Sequence, residues 1–159
     1  MYPIKTPVPY NPQNLAATAN VFTTAYLGNY VAGDYEEGSG SHPGVDIVPI
    51  SPSSPVYAIL DAKVLEASEN PASGKFVILA HMGVPDMTGK STNLFSSYLH
   101  LSELSVAKGQ ILKEGDIIGK TGTTGQSTGE HLHFQIDRDE ALFHPYWPFT
   151  FKEAKDLGL

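Results

Sequence analysis

The chain has 159 residues, a formal net charge of -7 and a hydrophobic content of 41%, which fits one domain with a real core. The acidic balance argues against nucleic acid and against an anionic membrane surface, because both select clustered Lys and Arg. There are no cysteines, so disulfides and thiolate metal ligands are excluded.

Fifteen glycines and twelve prolines point to many turns and a β-rich fold. No apolar run approaches the roughly 20 residues of a spanning helix. No signal peptide is read at the start. Residues 1–35 carry Pro3, Pro7, Pro9 and Pro12 and read as an N-terminal extended arm or accessory segment. Within it, NLAATANVFTTAYLG holds either a short helical turn or a strand. DYEEGSGSHPG is a glycine-rich loop. From Val45 onward short β patterns follow one another: VDIVPI, PVYAILDAKVLEAS, KFVILAHMG, LFSSYLHLS, GDIIGKTG and EHLHFQIDRD. Turn signals separate them, namely ISPSSP, ENPASG, PDMTGKSTN and TGTTGQSTG. This spacing predicts a mainly β chain, folded as an antiparallel barrel or sandwich with few short helices. SELSVAKG begins with a capping serine and ends in glycine, which predicts a helical turn over 102–109. TFKEAKDLGL is rich in helix formers and predicts a short helical tail within 146–159. The expected division is 1–35, then a main domain over 36–145, then that tail.

The histidines carry the chemistry. In GEHLHFQI, alternation along a strand puts His131, His133 and Gln135 on one face and Leu132, Phe134 and Ile136 on the other. In HPGVDI, His42 and Asp46 share one strand face while Val45 and Ile47 share the opposite one. Pro43 and Gly44 argue against a helix there. In SSYLHLS the same alternation predicts Tyr98 and His100 together, with Leu99 and Leu101 opposite. His42, Asp46 and His133 can therefore converge from neighbouring strands. Two imidazole nitrogens and one carboxylate oxygen with a fourth position open describe a catalytic zinc site. A buried cluster of these residues with His100 and His131 would be costly without a metal. His81 lies on the face of Val77 and Leu79, and His144 sits in LFHPYWP. His81 reads as a satisfied or half-exposed strand residue, and His144 as packing or tail.

SHPGVDI, SSYLHLS and TTGQSTGEHLHFQI together resemble the lysostaphin-type, LytM-like zinc metalloendopeptidases, which hydrolyse bacterial cell walls. PVYAILDAKVLEA and KGQILKEGDIIGKTG are similar to further segments of that family. The resemblance covers roughly residues 40 to 138. Ala62 stands where the family commonly has glycine, and PDMTGKSTN looks like an insertion. The resemblance implies the LytM-like fold, of the duplicated hybrid motif type. It implies one Zn2+ ion bound by His42, Asp46 and His133, with His100 and His131 as unligated catalytic histidines. His131 would be the general base and His100, if protonated, would stabilise the oxyanion; the two roles are exchangeable. Tyr35 is a candidate oxyanion donor.

The implied substrate is peptidoglycan peptide, cleaved in the periplasm or at the cell wall. No nucleic acid and no membrane segment is expected, and a monomer is the expected state. The competing expectation is a catalytically silent relative that activates other wall hydrolases. A lipoyl-like carrier is a third, but Asp61-Ala62-Lys63 does not match its exposed lysine turn. TGTTGQSTGE lacks the Lys-Ser/Thr ending of a phosphate loop and reads as a tight turn feeding the His131 strand. Specificity is expected in the loops at 33–41, 84–94 and 121–129.

Overall fold

The computed structural model describes residue 3, the backbone of Asn20–Thr24, and residues 42, 44–49, 51–85 and 89–137. The rest of the arm, Tyr35, His144 and the 146–159 tail lie outside the described residues. The strands are β1 (Asn20–Thr24), β2 (Val45–Pro49), β3 (Pro55–Tyr57), β4 (Ala62–Asn70), β5 (Gly74–Pro85), β6 (Ser91–Leu101), β7 (Glu103–Leu104), β8 (Ile111–Leu112), β9 (Ile117–Lys120) and β10 (Leu132–Asp137). A seven-stranded sheet runs β1-β2-β10-β6-β5-β4-β8, and a three-stranded sheet runs β3-β9-β7. All pairings are antiparallel. Among the described residues neither sheet closes into a barrel, and there is no helix.

The core lies between the two sheets. Val56 and Ile118 from the small sheet pack with Ile47, Val64, Val77, Leu79, Tyr98, Leu101 and Leu132 from the large one. Val45 and Phe134 pack against this cluster, so β2 and β10 turn the expected apolar face to the core. At about 25 cal/mol per Å2, such burial is the main favourable contribution to folding. His81 is buried in the same layer. Its Nδ1–H donates to the Asp61 carbonyl at 3.0 Å, and Ser96 Oγ lies 2.7 Å from Nε2. The Ser96 and Tyr98 hydroxyls bond at 3.1 Å. His81 is thus a hydrogen-bonded core residue, as its strand face suggests.

One open alternative resolves and two sequence expectations change. The segment 14–28, left open between helix and strand, contributes β1, which pairs with β2 at the sheet edge. The helical turn expected over 102–109 is absent. Glu103 and Leu104 pair instead with Lys120 and Gly119, and the Ser102 hydroxyl donates to the Thr121 carbonyl at 2.7 Å rather than capping a turn. PVYAILDAKVLEAS is one strand-like run in sequence but divides into β3 and β4, which belong to different sheets. At the far end of β5 and β6, Pro85 pairs with Ser91 and Val84 with Thr92; residues 86–88 of PDMTGKSTN lie outside the described residues.

The turn between β4 and β5 interlocks with the loop that follows β9. Gly74 and Gly125 both take left-handed backbone, at φ 63° and 72°. A Cβ on Gly74 would collide with Thr124, and one on Gly125 would collide with Gly74 and with the Ala72 carbonyl. Thr124 Oγ1 accepts from Lys75 N at 2.9 Å and donates to the Leu101 carbonyl at 2.7 Å. Gln126 N donates to Ala72 O at 2.9 Å. Gly125→Ala combines positive φ with a backbone clash and is expected to cost about 2 kcal/mol or more. Urea unfolding of the variant checks this; an unchanged midpoint would contradict the interlock.

Candidate metal centre

Register brings the site together. Asp46 on β2 lies directly opposite His133 on β10, and His133 lies opposite Leu99 on β6. Directly opposed side chains on one face sit about 5 Å apart at Cβ, so the Asp46 carboxylate and the His133 ring must meet. His42 reaches the same point from just before β2. Gly44 lets it do so: a Cβ there would collide with the Phe134 carbonyl and fall 2.9 Å from His133 Nε2. The two chains therefore approach closely only because position 44 has no side chain.

His42 Nε2 and His133 Nδ1 are 3.1 Å apart, and each lies within 3.2 Å of Asp46 Oδ1. All three residues are buried. Their ligand atoms lie within 4.8 Å of one another, which makes them a candidate metal group. Burial alone would raise the Asp46 pKa, but the hydrogen bonds and positive charge that His133 and His42 supply when protonated outweigh it and hold the carboxylate well below its usual range. The donors suit a metal. Two imidazole nitrogens and one carboxylate oxygen face a common point, and a cation there would neutralise a charge that is otherwise expensive to bury.

His131 and His100 flank this group. His131 Nδ1–H donates to the Gly129 carbonyl at 2.8 Å, with Ser127 Oγ at 3.3 Å. Its Nε2 is buried without a hydrogen-bond partner among the described residues and lies 3.7 Å from Asp46 Oδ1. His100 Nδ1–H donates to the Thr124 carbonyl at 2.9 Å. The His100 and His131 ring centroids are 4.8 Å apart. Each ring thus binds a carbonyl through Nδ1–H, so its neutral form keeps its lone pair on the other nitrogen. Glu130 supports the approach to His131, because its Oε1 accepts from Thr121 Oγ1 at 2.6 Å and from Ser53 N at 2.5 Å.

The route by which His100 arrives differs from the alternation read in sequence. Tyr98 and Leu101 both face the core, and Leu99 packs with Phe76 and Ile78 on the opposite face. Between Lys75↔Leu101 and Val77↔Tyr98, the single β5 residue Phe76 stands against two of β6, Leu99 and His100, which is a bulge. His100 sits in it at φ 63°, and its N–H donates to Ser73 O at 2.9 Å. Left-handed backbone in a bulge re-aims one side chain and resets the alternation after it. No period-2 pattern reveals this. Sequence reading also passed over the supports of the site, namely Gly44, Thr124, Asp137 and Gln135 beyond its strand face. Continuing the alternation of His131, His133 and Gln135 by one more step would have reached Asp137.

The pattern of Peptidase family M23 matches residues 40–145. The chain belongs to this family. M23 is a metallopeptidase family, in keeping with the His42, Asp46 and His133 group. The chain is 36% identical over 96 residues to the peptidoglycan DD-endopeptidase ShyB of Vibrio cholerae, covering 60% of this chain and 20% of that protein. It is 35% identical over 127 residues to lysostaphin of Staphylococcus simulans, covering 76% of this chain and 24% of that protein. The lysostaphin catalytic domain from the same organism matches in structure with a TM-score of 0.59 at 28% identity, covering 88% of this chain and 96% of that one. This M23 chain therefore spans about a fifth to a quarter of the length of these curated relatives. The lysostaphin-type resemblance read from the motifs stands, and the antiparallel β architecture matches that fold.

Burial, above all, lowers the His100 pKa to about 4 from an ordinary 6.5; the positive charge of His131 and His133 adds to this, against the Thr124 hydrogen bond and Asp46. Burial also lowers His81. An unfolded chain then binds protons that the folded one refuses, so stability falls as pH drops from 6.5 towards 4. For His100 alone the loss is about 3 kcal/mol. In chelator-treated protein, His100→Asn is expected to flatten this slope, since asparagine tolerates left-handed backbone. Denaturation midpoints measured at pH 7, 5.5 and 4 check this, and an unaltered slope in the variant would contradict it.

Proposed function

We propose that this chain is a zinc-dependent endopeptidase that hydrolyses peptide cross-links or stem peptides of bacterial peptidoglycan. One observation carries the reading. A buried His42, Asp46 and His133 donor set lies beside a histidine, His131, whose inward nitrogen has no hydrogen-bond partner among the described residues. The names of the relatives, a peptidoglycan DD-endopeptidase and lysostaphin, support the substrate class. Action outside the cytoplasm, in the periplasm or at the wall, follows from that substrate. No helix among the described residues is long and apolar enough to cross a membrane.

His42 Nε2, Asp46 Oδ1 and His133 Nδ1 would hold the ion. When bound, zinc polarises the scissile carbonyl and brings the pKa of a water down to about 7. The residues of the chain manage the protons. His131 Nε2 takes the proton of the attacking water, because its Nδ1–H is committed to the Gly129 carbonyl. The imidazolium so formed lies 3.7 Å from the Asp46 carboxylate, which stabilises it. It then returns the proton to the leaving amine. His100 is neutral at rest, so its inward nitrogen accepts a hydrogen bond rather than donating one. It thus orients the water, in place of the oxyanion contact that a protonated His100 would make. Completeness of the donor set weighs against the silent activator.

Purified peptidoglycan sacculi incubated with zinc-loaded protein are expected to release peptide-bearing fragments whose masses name the bond. His131→Ala should lower the rate by about 100- to 10,000-fold with zinc content intact, whereas Asp46→Ala should lose the zinc. Treatment with 1,10-phenanthroline should abolish release, and added zinc should restore it. Intact sacculi from wild type across wall types would defeat the hydrolase reading.

A further inference from the structure

Behind the metal group, on the side away from His131, β10 carries two more buried polar side chains on the same face. Gln135 is 2% exposed and Asp137 is 1% exposed. Gln135 Nε2 lies 2.7 and 2.8 Å from the two oxygens of Asp137. Gln135 Oε1 lies 3.2 Å from His133 Nε2. Chemistry fixes every direction in this row. A carboxylate can only accept, so the Gln135 amide must turn its NH2 to Asp137. Its oxygen must then face His133, and that oxygen can only accept as well. His133 Nε2 must therefore carry the hydrogen. In the neutral ring that metal binding requires, the lone pair is then left on Nδ1, the atom 3.1 Å from both His42 Nε2 and Asp46 Oδ1.

We propose that Gln135, its amide orientation locked by Asp137, is a positioning residue that fixes the tautomer and ring angle of His133 and so sets the affinity of the site for zinc. This rests on the zinc reading above. The opposite amide orientation would point an NH2 at His133 Nε2 and demand a lone pair there, moving the hydrogen to the nitrogen that must bind the ion. Asp137 makes that flip costly, because it would set an amide oxygen against a carboxylate in a buried site. Gly44 restrains the same ring on its flank, so His133 is constrained both by a close backbone and by a directed hydrogen bond.

The test measures zinc affinity by competition with a chromophoric chelator, in wild type and in Gln135→Leu, which keeps the shape and removes the acceptor. The expected loss is roughly 10- to 100-fold. The 15N spectrum of histidine-labelled, zinc-loaded protein supplies a second readout: a protected His133 Nε2–H in wild type, and loss of that protection in Gln135→Leu. Thermal unfolding of the chelator-treated proteins checks that the fold is retained. Should Gln135→Leu fail to fold, Asp137→Asn should weaken zinc binding, and adding Gln135→Glu should restore most of it. That exchanged pair reverses the second hydrogen bond but keeps an oxygen at His133. Unchanged zinc affinity in Gln135→Leu, or equal affinity in Asp137→Asn and the exchanged pair, would overturn the relay and leave the proposed function standing. A tenfold loss in Gln135→Leu, with sacculi untouched by wild type, would do the reverse.

Discussion

The cross-strand pair of Asp46 and His133 is the constraint on which the rest of the site depends. It exists because β2 and β10 are antiparallel neighbours in one register. A slip of one residue would turn Asp46 and His133 to the core and bring Val45, Ile47, Leu132 and Phe134 out of it. The apolar contacts on one face thus enforce the polar geometry on the other. Burial of Ile47 and Leu132 is what makes the register, and hence the donor set, unique.

A common electrostatic plan runs through the histidines around that pair. His133 donates outward to Gln135, His131 to the Gly129 carbonyl and His100 to the Thr124 carbonyl. Each ring spends its hydrogen on a fixed acceptor at the perimeter and turns its remaining lone pair to the centre. The centre is rich in lone pairs and poor in hydrogens. That is the condition for receiving a cation and a water molecule. It is also an expensive condition in the absence of a cation, since a buried carboxylate would then face ring lone pairs with nothing between them.

Much of this was legible in the chain. Alternation along GEHLHFQI and HPGVDI placed His131, His133 and Asp46 correctly, because those strands are regular and have one apolar face. It misplaced Tyr98 and Leu99 relative to His100, because the bulge at His100 depends on Ser73 from a distant turn, and local spacing carries no trace of that. The helical turn expected over 102–109 failed for a related reason. Its capping serine found the carbonyl of Thr121, and its next residues found a strand partner in β9. The helical tail, Tyr35 and His144 lie outside the described residues. Gln135 was on the right face from the start, but its importance emerges only once Asp137 is seen to fix which way its amide points.

The interlocked glycines at 74 and 125 have a mechanical consequence. With no room for a Cβ at either position, the β4–β5 turn and the loop carrying Thr124 are keyed together like a bolt in its socket. That loop forms one wall beside His100 and His131. A keyed wall does not swing, so under the proposed function a substrate would meet a preformed rim on this side. Discrimination between cross-links would then come from shape and contacts along a stationary edge, and a stiff mimic of an extended peptide is the chemotype to which such an edge is suited.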